Sequence, residues 1–134
     1  MSVNLNALKQ YQSVDLRATV ETASPHKMVS MLFDGVLKAL ATAKGCCERA
    51  DIEGRSASIN KASEIIIGLK GCLDLEQGGE VAQRLDELYD YSLRQLYQAN
   101  KENSSELVQE IIGLISEVSS GWNDMPVEYK VGEK

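Results

Sequence analysis

The chain has 134 residues, which a single domain accommodates, and 43% of them are hydrophobic, enough for a core and too many for a disordered chain. Its 20 acidic and 14 basic residues give a formal net charge of -6. With no block of Lys or Arg, nucleic acid and an anionic membrane surface are poor partners. No apolar run reaches membrane-spanning length, and no basic region followed by an apolar stretch opens the chain, so no membrane insertion is expected. Cys46, Cys47 and Cys72 are an odd set without a ligand cluster around them. They read as small buried side chains in a reducing compartment.

β-Branched alternation is almost absent, and Pro25 and Pro126, the two prolines, leave a long stretch between them uninterrupted. The pattern is therefore all-α. In residues 1–18, Leu5, Leu8, Tyr11 and Val14 would line one helical stripe, and Arg17–Thr22 reads as irregular. Residues 1–22 are thus expected as an N-terminal arm, 23–122 as a helical bundle and 123–134 as a mobile tail. The first main helix starts at Ser24, a strong N-cap, with Pro25 at the first helical position, where its missing N–H costs nothing. Lys27 stands where a capping box would place an acid, and the pattern runs to about Ala50.

Asp51–Arg55 contains Gly54 and reads as a turn or a weakened first turn. A second helix follows over Ser56–Leu73, with Ile59, Ala62, Ile66, Leu69 and Leu73 at steps of three and four, and Gly68 and Gly71 suited to close packing. Gln77-Gly78-Gly79 marks the clearest break. The third helix spans about Glu80–Ala99, with Val81, Leu85, Leu88, Leu96 and Ala99 on one face and Tyr89 and Leu93 widening it. Asn100–Asn103 connects it to a last helix, capped by Ser104 or Ser105 and running to about Ser120. Short connections make neighbours antiparallel, which implies an up-and-down four-helix bundle.

Catalytic and cofactor chemistry finds no support. There is no phosphate loop, no Glu-x-x-His pair and no Cys/His metal cluster, so no cofactor, metal or catalytic residue is assigned. The single histidine, His26, would suit a phosphorelay bundle only if it sat exposed in mid-helix. In a first turn beside Pro25 it reads instead as a solvent-facing residue.

Surplus apolar surface is the more informative signal. At about 100° per residue, Met28, Val29, Met31, Leu32, Phe33, Val36, Leu37 and Leu40 spread over roughly 240° of the first helix, more than twice the arc a surface helix needs. Lys27, Ser30, Asp34, Lys38 and Ala41 fill the opposite side. Residues 1–18, a homodimer partner, or another chain's amphipathic helix would each cover the excess. On the third helix, Tyr89 and Tyr91 point to different faces, one to the core and one to the rim, and Asp90 and Arg94 form a modest i,i+4 pair.

Several motifs occur together in order: Thr22-Ala23-Ser24-Pro25; Met31-Leu32-Phe33-Asp34-Gly35; Lys61-Ala62 with Ile65, Ile66 and Leu69; and Leu73-Asp74 followed by Gly78-Gly79-Glu80. Ala82, Leu85, Leu88-Tyr89-Asp90-Tyr91, Leu96, Ala99-Asn100 and Trp122 complete the set. Over residues 8–122 the chain resembles the flagellar secretion chaperones of the FliS family, with Phe33 where the family usually has Tyr. The resemblance implies a small cytoplasmic helical bundle with no reaction of its own. It would bind the disordered C-terminal region of flagellin, which becomes partly helical and wraps around the bundle, and so block premature polymerisation. It would also aid delivery to a component of the flagellar export gate, and a homodimer is an option in the absence of client. Partner-binding positions expected on this basis are Leu8 and Tyr11 from the arm, then Met28, Met31, Leu32 and Gly35. Ile65 and Leu69 would form a neighbouring wall, and Leu88, Tyr89 and Tyr91 would add to it. Tyr11 matches a family tyrosine near the binding surface.

Overall fold

The computed structural model describes residues 24–124, which form α1 (Pro25–Arg49), α2 (Ile52–Gly71), α3 (Leu75–Glu102) and α4 (Ser105–Asp124). No β-strand occurs among the described residues. Helix α1 packs on α2 and α4, and α3 packs on the same two, so α1 and α3 face each other across the diagonal of an up-and-down bundle.

Local chemistry sets the boundaries. The Ser24 hydroxyl accepts from the Lys27 amide at 3.1 Å and opens α1. Ala50 closes α1 in the left-handed region, with φ 56°, its amide directed at the Cys46 and Cys47 carbonyls. The Asp51 carboxylate then accepts from the Gly54 amide at 3.0 Å. That cap starts α2 a turn ahead of Ser56, because it outweighs the low propensity of Gly54. Asp74 caps α3 in the same way through the Gln77 amide, at 3.0 Å. The diglycine therefore kinks a helix already begun: Gly79, with φ 59° and ψ -138°, is the single non-helical residue inside α3. Only glycine reaches that conformation without strain.

Helix α3 outlasts Ala99 because Asn103 takes the left-handed cap, with φ 54°. Ser104 caps α4 through the Leu107 amide at 3.1 Å. Helix α4 continues through Gly121 to Asp124, past the expected end near Ser120, and Trp122 on its last turn is buried.

Val36 and Leu40, Ala62 and Ile66, Leu96 and Ala99, and Val108, Ile111 and Ile115 bring all four helices to zero exposure in one core. Ser92 is equally buried and satisfied, its hydroxyl donating to the Leu88 carbonyl at 2.8 Å. Cys46, Cys47 and Cys72 are buried free thiols, as their pattern implied.

The poles of the bundle close differently. At the pole where α1 turns into α2, Arg55 donates to Asn100 Oδ1 at 2.9 Å and to Asn103 Oδ1 at 2.7 Å. Asn103 donates onward to the Cys47 carbonyl at 3.1 Å, so three helices share one polar staple. At the opposite pole the Trp122 indole N–H is shared between the His26 carbonyl at 3.3 Å and Ser30 Oγ at 3.2 Å. Its ring stacks on His26 with centroids 5.2 Å apart and planes inclined by 20°. Ser30 in turn donates to Asn123 Oδ1 at 3.1 Å.

Candidate partner-binding surface

The wide apolar arc of α1 is largely taken up by the bundle itself. A Cβ at Gly35 would lie 3.4 Å from Ile65 Cδ1, so α2 closes directly on that side. On the other side His26 and Ser30 meet Trp122 of α4. Val29, Met31, Leu32, Phe33, Val36 and Leu40 are buried, while Met28 and Leu37 are half-buried. Lys27, Asp34, Lys38 and Ala41 face solvent, as the wheel placed them, but Ser30 is drawn inward by its two hydrogen bonds.

The residues expected to bind a partner separate into groups. Leu32, Ile65, Leu69 and Tyr89 belong to the continuous core, and Met28, Leu88 and Tyr91 are partly buried against it. Met31 keeps 9% exposure and Gly35 is half-buried. Leu8 and Tyr11 lie outside the described residues. Met28, Met31, Gly35 and Ile65 share the α1–α2 side, whereas Tyr91 belongs to the α3–α4 side, where its phenol donates to Glu110. That hydrogen bond, helped by desolvation, holds the Tyr91 pKa above the usual phenol range. The Arg94 guanidinium sits 6.0 Å from the Tyr91 ring centre. Asp90 therefore pairs not with Arg94 but with Lys70 of α2, at 3.7 Å, beside the closer Lys70–Asp86 pair at 3.1 Å. The bond to Asp86 is the main reason the Lys70 pKa is raised.

Val81, expected on the inward face of α3, is 60% exposed, because Ala82 takes the buried position just after the kink. The apolar surface left open lies elsewhere. Ile67 of α2 is 50% exposed and Tyr97 of α3 is 72% exposed. Lys70 stands opposite Asp86 and Asp90, and Ser56 donates to Asn100 at 3.2 Å. These pairs fix an antiparallel register in which Ile67 runs alongside Asp90, Ser63 alongside Leu93 and Arg94, and Asn60 alongside Tyr97. The sequence did carry a signal for Ile67. Three successive isoleucines cannot all face inward on a helix, and Ile65 and Ile66 take the core.

Nothing in this surface resembles an active site. Among the described residues no group of three or more His, Cys, Asp or Glu could hold a metal ion. Burial pushes the Cys72 thiol up to about 12 and raises that of Cys47 as well, which keeps both protonated and inert at neutral pH. His26 is half-buried and stacked on Trp122, not presented to solvent, which removes the geometry a phosphorelay histidine needs. No described helix is long and apolar enough to cross a membrane.

The family model described as flagellar protein FliS matches residues 7–128. The chain is 44% identical over 119 residues to the flagellar secretion chaperone FliSB of Pseudomonas aeruginosa, covering 89% of this chain and 94% of that protein. It is 40% identical over 121 residues to the flagellar secretion chaperone FliS of Salmonella typhimurium, with 90% of each chain covered. With the flagellar secretion chaperone FliS of Vibrio cholerae it shares 37% identity over 123 residues, covering 92% of this chain and 90% of the relative.

Proposed function

Because the chain belongs to the flagellar protein FliS family, we propose that it is a cytoplasmic export chaperone that works by stoichiometric binding. Its client is the disordered C-terminal region of flagellin, held along apolar surface of the bundle, and the complex is handed to a component of the flagellar export gate. The observation that carries this reading is end-to-end similarity to proteins named as flagellar secretion chaperones, spanning nearly the whole of each chain. The physics supports it. Segments that polymerise by burying apolar stripes are kept apart only if a chaperone covers those stripes. A client that folds as it binds spends ordering entropy, so the contact must be long. Such a protein needs no catalytic group.

The test is to mix the purified protein with full-length flagellin and with flagellin lacking its C-terminal region. A one-to-one complex forms with the first and not with the second; equal binding to both refutes the mode. Met31→Asp then weakens client binding while far-UV helicity survives. Loss of helicity in that variant would assign Met31 to the core instead.

A further inference from the structure

We propose that the outer seam between α2 and α3 is a docking groove for one amphipathic helix of the client, lying over Ile67, Leu93 and Tyr97 with its N-terminus toward Asp86 and Asp90. This rests on the reading of a client that becomes helical, and it adds a contact apart from α1, most of whose apolar arc the bundle takes up. On α3, Asp86, Asp90, Leu93, Tyr97 and Lys101 follow one another at steps of three and four and so form a single stripe. On α2, Lys70, Ile67, Ser63, Asn60 and Ser56 form the facing stripe. The antiparallel register sets the small Ser63 level with Leu93 and Asn60 level with Tyr97. Side chains are thus short on one wall of the seam where the half-buried Leu93 and the exposed Tyr97 stand on the other.

Polar ties cross the seam at its two ends, Lys70 to Asp86 and Asp90 at one and Arg55 and Ser56 to Asn100 at the other. Fifteen residues of α2 separate them, about 22 Å or four helical turns. That holds a binding helix whose anchors at i, i+3 or i+4, and i+7 span about 10 Å.

Charge selects the occupant and its direction. Two carboxylates meet one ammonium at the Asp86–Asp90 end, which leaves surplus negative charge, and Asp90 is 45% exposed. Lys101 is exposed at the other end. A helix whose positive N-terminal pole faces Asp90 and whose negative C-terminal pole faces Lys101 matches both ends at once.

The experiment titrates the full-length protein against a peptide spanning the C-terminal region of the cognate flagellin. Ile67→Ser combined with Tyr97→Ser weakens binding by about tenfold or more, since exposed apolar anchors carry much of such contacts. Far-UV circular dichroism and the thermal midpoint stay at wild-type values. Val81→Ser, equally exposed but off the seam, binds as wild type does. If the wild-type protein fails to bind the peptide, the flagellin reading falls. If wild type binds and the folded double variant binds equally well, the groove falls and that reading stands.

Benzoylphenylalanine placed in turn at positions 87 and 98, beside the seam, then reads the direction without removing Asp90 or Lys101. Position 87 photocrosslinks to the N-terminal half of the bound helix and position 98 to its C-terminal half. The reverse order overturns the orientation, and a product of twice the chaperone's mass, in place of the client adduct, overturns the client as occupant in favour of a second copy.

Discussion

The same substitution, glycine to alanine, is expected to have opposite signs in different helices of this bundle. A Cβ at Gly54 would lie 2.5 Å from Asp51 Oδ2 and 2.8 Å from Cys46 Sγ. Both atoms belong to the α1–α2 turn: Asp51 caps α2, the Cys46 thiol approaches Asp51 Oδ2 at 3.8 Å, and Arg49 donates to that sulfur at 3.6 Å. Alanine gains at most about 1 kcal/mol of helix propensity. It displaces a cap worth about 1 kcal/mol and forces a buried thiol to shift, at about 1–3 kcal/mol for overpacking. Gly54→Ala therefore destabilises by about 1–3 kcal/mol. Gly113 and Gly121 of α4 are exposed, with no atom within 4 Å of an added Cβ. Alanine at either one stabilises by about 0.5–1 kcal/mol. Urea unfolding followed by far-UV circular dichroism measures all three, and an unchanged m-value shows that only stability moved. If Gly54→Ala stabilised the protein as the α4 variants do, the close approach described at the α1–α2 turn would be refuted.

Asn103→Ala loses the Arg55 and Cys47 bonds and places alanine at positive φ, a cost of about 2–3 kcal/mol. Asn103→Gly loses the same bonds but keeps the backbone relaxed and costs less, and a reversed order in chemical denaturation would contradict the left-handed cap. Trp122→Phe keeps an aromatic ring against His26 but removes the shared indole N–H bond, for about 1–3 kcal/mol, measured by thermal unfolding against wild type. An unchanged midpoint would mean that the indole N–H contributes nothing.

Alkaline stability follows from Cys72. Its thiol titrates near 9.0 when unfolded and near 12 when buried, so the unfolded chain releases its proton first. Stability is complete below about pH 9 and falls above it by about 1.4 kcal/mol per pH unit, with Tyr89, also raised by burial, adding to the loss above about pH 10. Urea midpoints from about pH 7 to 11 test this, and the Cys72→Ala variant should show a shallower slope; identical slopes in both would exclude the thiol.

The helical pattern was legible because core positions recur every three or four residues, as in Ile59, Ala62, Ile66 and Leu69, and because Ser24-Pro25 signals a start on local grounds alone. Boundaries were less legible where a cap competes with a breaker. Asp51 overrules Gly54, Asn103 rather than Asn100 takes the left-handed turn, and Trp122 carries α4 through Gly121. The surface was least legible. A wheel gives the angular width of an apolar arc but not which neighbours flank it, so the approach of α2 at Gly35 and of Trp122 at Ser30 could not be read from α1. Ile67 was hidden in an isoleucine run, and Tyr97 stood beside the buried Leu96. His26 looked open to solvent because its stacking partner lies at the far end of the chain in sequence.

Four helices bring the end of α4 back to the pole where α1 begins, and the Trp122–His26 stack joins the first turn of α1 to the last turn of α4. Tension applied between these two ends would load that contact first. It would peel α1 and α4 outward turn by turn, instead of sliding whole helices past one another. The bundle is thus mechanically soft at one pole and firm at the other, where Arg55 and Asn103 tie three helices together far from the line of pull.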